Sequence, residues 1–399
     1  MAVDPERSSV DTAAPSRISL YHQSSQYRHW RYAKDELDRI RNELNEKAVD
    51  RVKKLWDQER AQQATGVKST AGDAVASASS SSSSTNPTPS SSNPPSAAPT
   101  PPPSSNEIEY LTTSDELLLV TYYLTQIQAM CGAFGFPEMV QATSMSYFKR
   151  FYLANTCMDY HPKNVMLTCV FLATKTENFP ISIDTFSARV KTPPTEILSL
   201  EFLVSQSLRF EYKVHHAHLA LSGVLLDLQS ATTIDPTRIA PAVQKAQQAL
   251  RTSRHTSLEL VYSPSQIALA CLRMSDPSLV GEWLGVKTER KTKRDTGKGK
   301  GTNGQDRLAA DGGTAAEVDT VLEILDEIQE VVRDAQRNPV DKERVKEVDR
   351  RLRWARNPEK DPNSALFKKR KLEEEAERDQ KEREKNAKRP KNDDSSVFD

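Results

Sequence analysis

The chain has 399 residues, with 55 lysine and arginine residues balancing 55 aspartate and glutamate, and 4 cysteines. That length allows two or three domains. The cysteines Cys131, Cys157, Cys169 and Cys271 form no CxxC pair, so neither a disulfide framework nor a zinc site is written here, and free, buried, reduced thiols are expected.

Residues 1–17 are polar and mixed in charge, read as disordered, and do not resemble a signal peptide. No run of about 18 apolar residues is present to cross a bilayer, and no membrane association is expected. From Asp35 to Arg60, Leu37, Ile40, Leu44, Ala48, Val52 and Leu55 recur at three and four, which predicts one amphipathic helix within an N-terminal segment, 18–61. Such a helix is marginal alone and needs a surface to pack on. Residues 62–106 are rich in serine and proline, bury too little apolar surface to offset ordering, and read as a disordered insertion.

A first helical unit is predicted over 107–213. Ser114 is placed as the cap of its first helix, Pro137 opens a second through Phe151, and Pro162 opens a buried third. Ser182 caps a short fourth over 183–190, and Pro193-Pro194 opens a fifth carrying Ile197, Leu198, Leu200, Phe202 and Leu203. A second unit spans 214–335, with helices at 216–229, 236–255, 264–274 and 317–335 and a flexible basic insertion at 287–316. A C-terminal helix, 341–356 within segment 336–358, carries Val345, Val348 and Leu352; residues 359–399 read as a solvated charged tail.

One segment occurs twice. Counted from Pro162 and from Pro264, an aliphatic residue falls at three, leucine at five, cysteine at seven and an apolar residue at eight. Each copy has proline in its first turn, where the missing N–H costs nothing, and is apolar nearly all round, as the central helix of a bundle is. The expected fold is therefore all-α, with two tandem five-helix units flanked by N- and C-terminal helices.

No catalytic constellation is visible, and no metal site or cofactor is expected. His215, His216 and His218 lack partner ligands at metal spacing. Gly297-Lys298-Gly299-Lys300-Gly301 lacks the Gly-Lys-Ser/Thr ending of a phosphate loop. Asp115-Glu116 suits a helix N-terminus, as Lys175 suits a helix C-terminus. Glu201, between Leu200 and Phe202, reads by itself as a solvated position beside core residues.

Together, however, five helices around a buried one, repeated once, with Lys175 ending the third and Glu201 in the fifth, resemble the cyclin fold. The resemblance is carried by Tyr147-Phe148-Lys149-Arg150-Phe151-Tyr152-Leu153, by Leu167 through Lys175, and by Glu201. Lys149 departs from mitotic members, which usually have Asp there, and is similar to the transcriptional C and H types. Tyr21 to Trp30, Met158 to Pro162 and Leu260 to Leu269 resemble the H type in particular.

The resemblance implies a subunit without catalytic activity that binds and activates a cyclin-dependent kinase, with Lys175 and Glu201 contacting it. It also implies a RING-finger assembly factor and subunits of TFIIH as partners, and phosphorylation of the polymerase II C-terminal repeats and of cell-cycle kinases. The alternative is a cyclin C-like subunit of the Mediator kinase module; a TFIIB-like factor would need a metal ribbon. The two flanking helices are expected to pack together against the paired units. Lys368-Lys369-Arg370-Lys371, with Lys388-Arg389-Pro390-Lys391 beyond, is a candidate nuclear localisation signal, so a nuclear protein is expected. Without interleaved aromatics the tail is not expected to bind nucleic acid directly. Thr88-Pro89 and Thr100-Pro101 fit a proline-directed kinase.

Overall fold

A computed structural model of the protein describes residues 20–70, 108–231, 234–296 and 304–387. Among the described residues the chain forms helices and no strand. In order they are α1 (Ser25–His29), α2 (Lys34–Thr70), α3 (Thr113–Phe134), α4 (Glu138–Phe151), α5 (Pro162–Thr176), α6 (Ile183–Val190), α7 (Pro194–Ser199), α8 (Glu201–Ser207), α9 (Ala217–Gln229) and α10 (Pro236–Ser253). Then follow α11 (Pro264–Ser275), α12 (Pro277–Thr296), α13 (Gly304–Arg337), α14 (Lys342–Ala355) and α15 (Ala365–Ala387). They form two compact units, one from Asp35–Ser207 with the chain from Pro339 onward, the other from the chain up to Lys34 with Leu208–Asn338.

In the first unit α5 is the centre. Every residue from Val165 to Thr174 is buried, and α3, α4, α7 and α8 pack around it. Proline at N1 and the His161 side chain, which accepts from the Lys163 N–H, start the helix. α4 is buried from Ala142 through Phe151, Lys149 and Arg150 included. Thr112, not Ser114, caps α3: its hydroxyl accepts from the Asp115 N–H while the Asp115 carboxylate accepts from the Thr112 N–H. The residue three beyond the cap separates the two, being Asp115 for Thr112 but Leu117 for Ser114.

α3 is the one described helix long and apolar enough to cross a membrane, which the count of uninterrupted apolar residues did not anticipate. It packs instead on α4, α5 and α14 through Leu119, Leu124, Ile127 and Cys131, as a bundle helix.

α2 and α14 both join this unit. Leu37, Ala48, Val52 and Leu55 are buried along α2, and Val345, Val348 and Leu352 along α14. The Trp56 indole N–H donates to the Arg356 carbonyl at 3.1 Å. Asp115 binds two arginines of α14, Arg351 at 2.7 Å and Arg344 at 3.1 Å, and Arg351 also reaches Glu109. These bonds and the capping contacts hold its carboxyl below the usual range despite burial. Asp349 is held low by His161, whose Nε2 lies 3.1 Å away.

The second unit repeats the plan around α11, with α9, α10, α12 and α13 against it. Ser263 and Gln266 form its capping box. α12 lies partly where a flexible insertion is expected. Leu279 and Val280 are fully buried in it, and Trp283 donates to Asp227 at 2.7 Å. Lysine and glycine after position 287 hide this start, whereas Pro277 opens the helix as Pro264 opens α11. α13 begins at Gly304, well before the predicted 317; its stripe Leu325, Ile328 and Val332 is buried.

Within the tail, read as solvated and charged, residues 365–387 are helical, and 371–384 are exposed. Buried Glu59 of α2 accepts from the Ala365 and Leu366 N–H groups at 2.8 and 2.9 Å, capping α15 from another element. Pairs four apart, Lys369–Glu373, Arg370–Glu374 and Lys381–Glu377, support it in solvent. The glycine-lysine run 297–301, Thr88, Thr100 and Lys388–Lys391 lie outside the described residues.

Candidate functional site

The chain read as one fifth helix is two. α7 stops at Ser199, Leu200 breaks the path, and α8 restarts at Glu201. Glu201 thereby becomes the first residue of a helix, where a carboxylate complements the backbone dipoles; Lys175 stands in the last turn of α5, where a cation does. Leu198 and Phe202 are 42% and 70% exposed, although Phe202 is expected beside Glu201 as a core residue. Ile197 and Val204 take the core positions.

Lys175 Nζ and Glu201 Oε1 are in direct ion-paired contact. Their side chains keep 38% and 25% of their surface open, so the pair is neither free nor sealed. Behind it, Lys175 Nζ lies 4.7 Å from the centre of the Phe171 ring. Phe171 packs at 5.6 Å on Phe186, which meets Phe134; Phe134 stacks on Phe136, and Phe136 meets Phe179 edge-on. Phe179 is 45% exposed. Asn178 reaches it through a left-handed backbone, φ 55°, and the Phe179 N–H closes the end of α5 onto the Thr174 carbonyl at 2.9 Å. Glu177 accepts from the Thr143 hydroxyl, and Tyr147 donates to Thr176, both tying the C-terminus of α5 to α4.

The result is an ammonium–carboxylate pair joining the end of α5 to the start of α8, with Leu198 and Phe202 exposed on the segment that carries Glu201 and Phe179 exposed just beyond α5. The pair leaves one carboxylate oxygen and further ammonium N–H groups to offer an acceptor beside a donor. It suits recognition and has no activated nucleophile. Burial raises the thiols, Cys271 to about 12 and Cys131 to about 11, so they stay protonated and inert. Among the described residues no cluster of His, Cys, Asp or Glu is arranged to hold a metal.

A second organised region, in the other unit, lies within the Tyr21 to Trp30 stretch. Ser24 caps α1, and buried Gln26 forms a two-way amide pair with the His215 backbone, accepting at 2.6 Å and donating at 3.2 Å. Trp30 donates to Glu211 at 2.7 Å, His29 meets the other Glu211 oxygen at 2.5 Å, and the Tyr32 N–H binds the Leu260 carbonyl. Arg209 stacks over Trp30. Sequence resemblance marked this stretch without showing its role, which is to clamp the chain before α9. Glu59 was missed altogether, since a helix cap supplied from 300 residues away leaves no local pattern.

Lys368, Lys369, Arg370 and Lys371 stand in the first turns of α15, with Lys369 and Arg370 paired to glutamates. They lie apart in sequence from the pair on α5 and α8.

Comparison with known proteins follows this geometry. The profile of the cyclin N-terminal domain matches residues 110–213 and that of the cyclin C-terminal domain 216–333. Cyclin CCL1 of Saccharomyces cerevisiae is 30% identical over 271 residues, covering 67% of this chain and 61% of that protein. Cyclin mcs2 of Schizosaccharomyces pombe is 29% identical, covering 67% and 74%. Cyclin-H of Xenopus laevis is 35% identical over 177 residues, covering 42% and 54%. The chain thus spans about three fifths of the length of the first of these relatives. Two solved structures share the fold at 24% identity. A chain of the CAK complex from Chaetomium thermophilum bound to ATP-gamma-S has a TM-score of 0.61, covering 96% of this chain and 100% of that one. A chain of the yeast TFIIK complex of Kin28, Ccl1 and Tfb3 has a TM-score of 0.52, covering 78% and 100%.

Proposed function

This chain belongs to the cyclin family, and from that premise we propose that it is a regulatory subunit, without catalytic activity of its own, that binds and activates a cyclin-dependent kinase as cyclin H does. The observation that carries the reading is the Lys175–Glu201 pair, brought together from α5 and α8 on a face that exposes Leu198 and Phe202. A donor and an acceptor held side by side on a stiff bundle suit backbone groups at a helix end or loop of a partner, with apolar side chains beside them to exclude water. Because the pair is already formed, less ordering is lost on binding.

In the kinase, a helix carrying the active-site Glu must pair with the Lys that contacts ATP before phosphoryl transfer. A subunit that binds that arrangement better than the inactive one shifts the population toward it. A well-packed α5 makes the face stiff enough to reposition its partner instead of deforming. The relatives named cyclin-H support the H-type reading, and with it comes the proposed role in a nuclear kinase complex with a RING-finger assembly factor and TFIIH, acting on polymerase II C-terminal repeats and on cell-cycle kinases.

The test is affinity capture of the full chain from nuclear extract, with kinase assay of the eluate on a C-terminal repeat peptide and an activation-loop substrate. The expected result is an active kinase recovered with TFIIH subunits and lost with Lys175→Ala/Glu201→Ala, the variant keeping its helical circular dichroism. Mediator subunits instead would move the assignment to the cyclin C type. No kinase at all would overturn the reading, and an unfolded Glu201→Ala chain would make Glu201 structural.

A further inference from the structure

The outer face of α14 exposes Arg350, Arg353 and Trp354. Val345, Val348, Leu352 and Ala355 bury one side of the helix, and Arg351 is committed to Asp115 and Glu109. Positions 343, 346, 347, 350, 353 and 354 share the opposite side. Its first half is internally neutralised, Lys346 by Glu343 at 2.8 Å and Glu347 by Arg344 at 3.3 Å. Its second half is not. Arg350 is exposed and has no ion-pair or hydrogen-bond partner among the described residues, and Arg353 acts on Asp349 through its field alone. Trp354 is 41% exposed, with no indole hydrogen bond or ring contact among the described residues. Side chains three and four apart on a helix have Cβ atoms about 5–6 Å from one another, so Arg350 neighbours both Arg353, three positions on, and the open indole of Trp354, four positions on.

Size and charge select the ligand. Two unpaired cations beside the balanced first half match one compact anion, and are too few for the extended phosphate track that nucleic acid presents. A carboxylate fills a single guanidinium fork. A phosphate ester carries about −1.5 to −2 charges and three acceptor oxygens, and so can engage both. The flat indole beside them fits the ring of a proline next to the phosphorylated residue, as aromatic faces take prolines in extended peptides.

We propose that Arg350, Arg353 and Trp354 form a docking site for a phosphorylated Ser-Pro or Thr-Pro segment of a partner, which is the product of a proline-directed kinase. The choice of phosphate rests on the two arginines and that of proline on the indole; that a kinase would supply such a product beside this chain rests on its proposed function as a kinase subunit. The site would retain a phosphorylated product beside the enzyme, favouring further modification of a substrate with several Ser-Pro or Thr-Pro steps.

Calorimetry on the full chain without any kinase tests this, using a synthetic peptide with one phosphothreonine-proline step, its unphosphorylated form, its glutamate form and a thymidine oligonucleotide. The phosphopeptide is expected to bind at least about tenfold tighter than the other two peptides. Arg350→Ala/Arg353→Ala should abolish that preference, and Trp354→Ala should weaken phosphopeptide binding, with circular dichroism unchanged. Equal binding of the glutamate form would overturn it in favour of a general acidic peptide, and tight oligonucleotide binding in favour of nucleic acid. Failure to bind any of the four would refute the site. Kinase capture by Arg350→Ala/Arg353→Ala should stay intact, so loss of capture reports on the kinase-binding reading, not on this site.

Discussion

The two central helices, α5 and α11, show what a repeat shares and what it does not. In both, the residues three, five, seven and eight after the opening proline are buried: Val165, Leu167, Cys169 and Val170 in α5, Ile267, Leu269, Cys271 and Leu272 in α11. The thirteenth residue after Pro162 is Lys175; the thirteenth after Pro264 is Pro277, which opens α12. Proline there ends α11 a turn earlier and removes the position from which a lysine could meet a carboxylate on a later helix. The second unit instead pairs Arg273 with Asp326 at 2.5 Å, on the long straight α13. The two copies share the packing core and differ at this position, where the first carries Lys175 against Glu201 and the second the proline that opens α12.

The largest expected effect tests the shared core. Leu167→Ala and Leu269→Ala should each cost about 2–5 kcal/mol in denaturant unfolding; a negligible loss at either would break the equivalence of the two helices. The unshared surface comes next. Lys175→Ala/Glu201→Ala should weaken kinase binding by about 2–5 kcal/mol, since truncation leaves partner groups unpaired. Arg273→Ala should leave kinase capture unchanged, and its loss there would assign the recognition face to both repeats. Because the Lys175–Glu201 pair is partly exposed, its own contribution to folding should be under about 1 kcal/mol.

A third contrast is titration. Glu116 of α3 accepts from the Cys157 N–H at 3.2 Å, and burial raises its carboxyl from 4.5 to about 7. A raised carboxyl contributes stability that is present below its unfolded value and lost as pH rises through the folded one. The chain should therefore lose up to about 3 kcal/mol between pH 4.5 and 7 from this group, and Glu116→Gln should remove that slope. Parallel pH profiles for the two proteins would show that Glu116 does not titrate abnormally. A comparable effect concerns the clamp of the second unit. Gln26→Ala removes both bonds to the His215 backbone and should cost about 1–3 kcal/mol by thermal unfolding; Gln26→Glu, which keeps only the acceptor, should fall between.

Proline, capping serine and helical periodicity made most of the fold legible in advance. Pro162, Ser182 and Pro264 each mark a helix start, because those signals act within one turn. Lys175 and Glu201 were legible as a pair only through family resemblance, since neither has a local pattern that says it is more than a charge at a helix end. Phe202 was misplaced in the core because it was judged apolar without its helical phase: with Ile197 and Val204 inward, positions 198 and 202 fall off the buried face. α12 was hidden by its basic C-terminal half, and α15 by a composition that reads equally as a solvated coil.

The sequence by itself thus determined which segments are helical cores and that they come in two copies, because burial patterns and caps are properties of neighbouring residues. Only the tertiary structure decided that Glu201 meets Lys175, that Gln26 clamps His215, that Glu59 caps α15, and that Arg350, Arg353 and Trp354 remain open. Each of those depends on partners brought together, or withheld, by packing between elements distant in the chain, and no local periodicity records such distances.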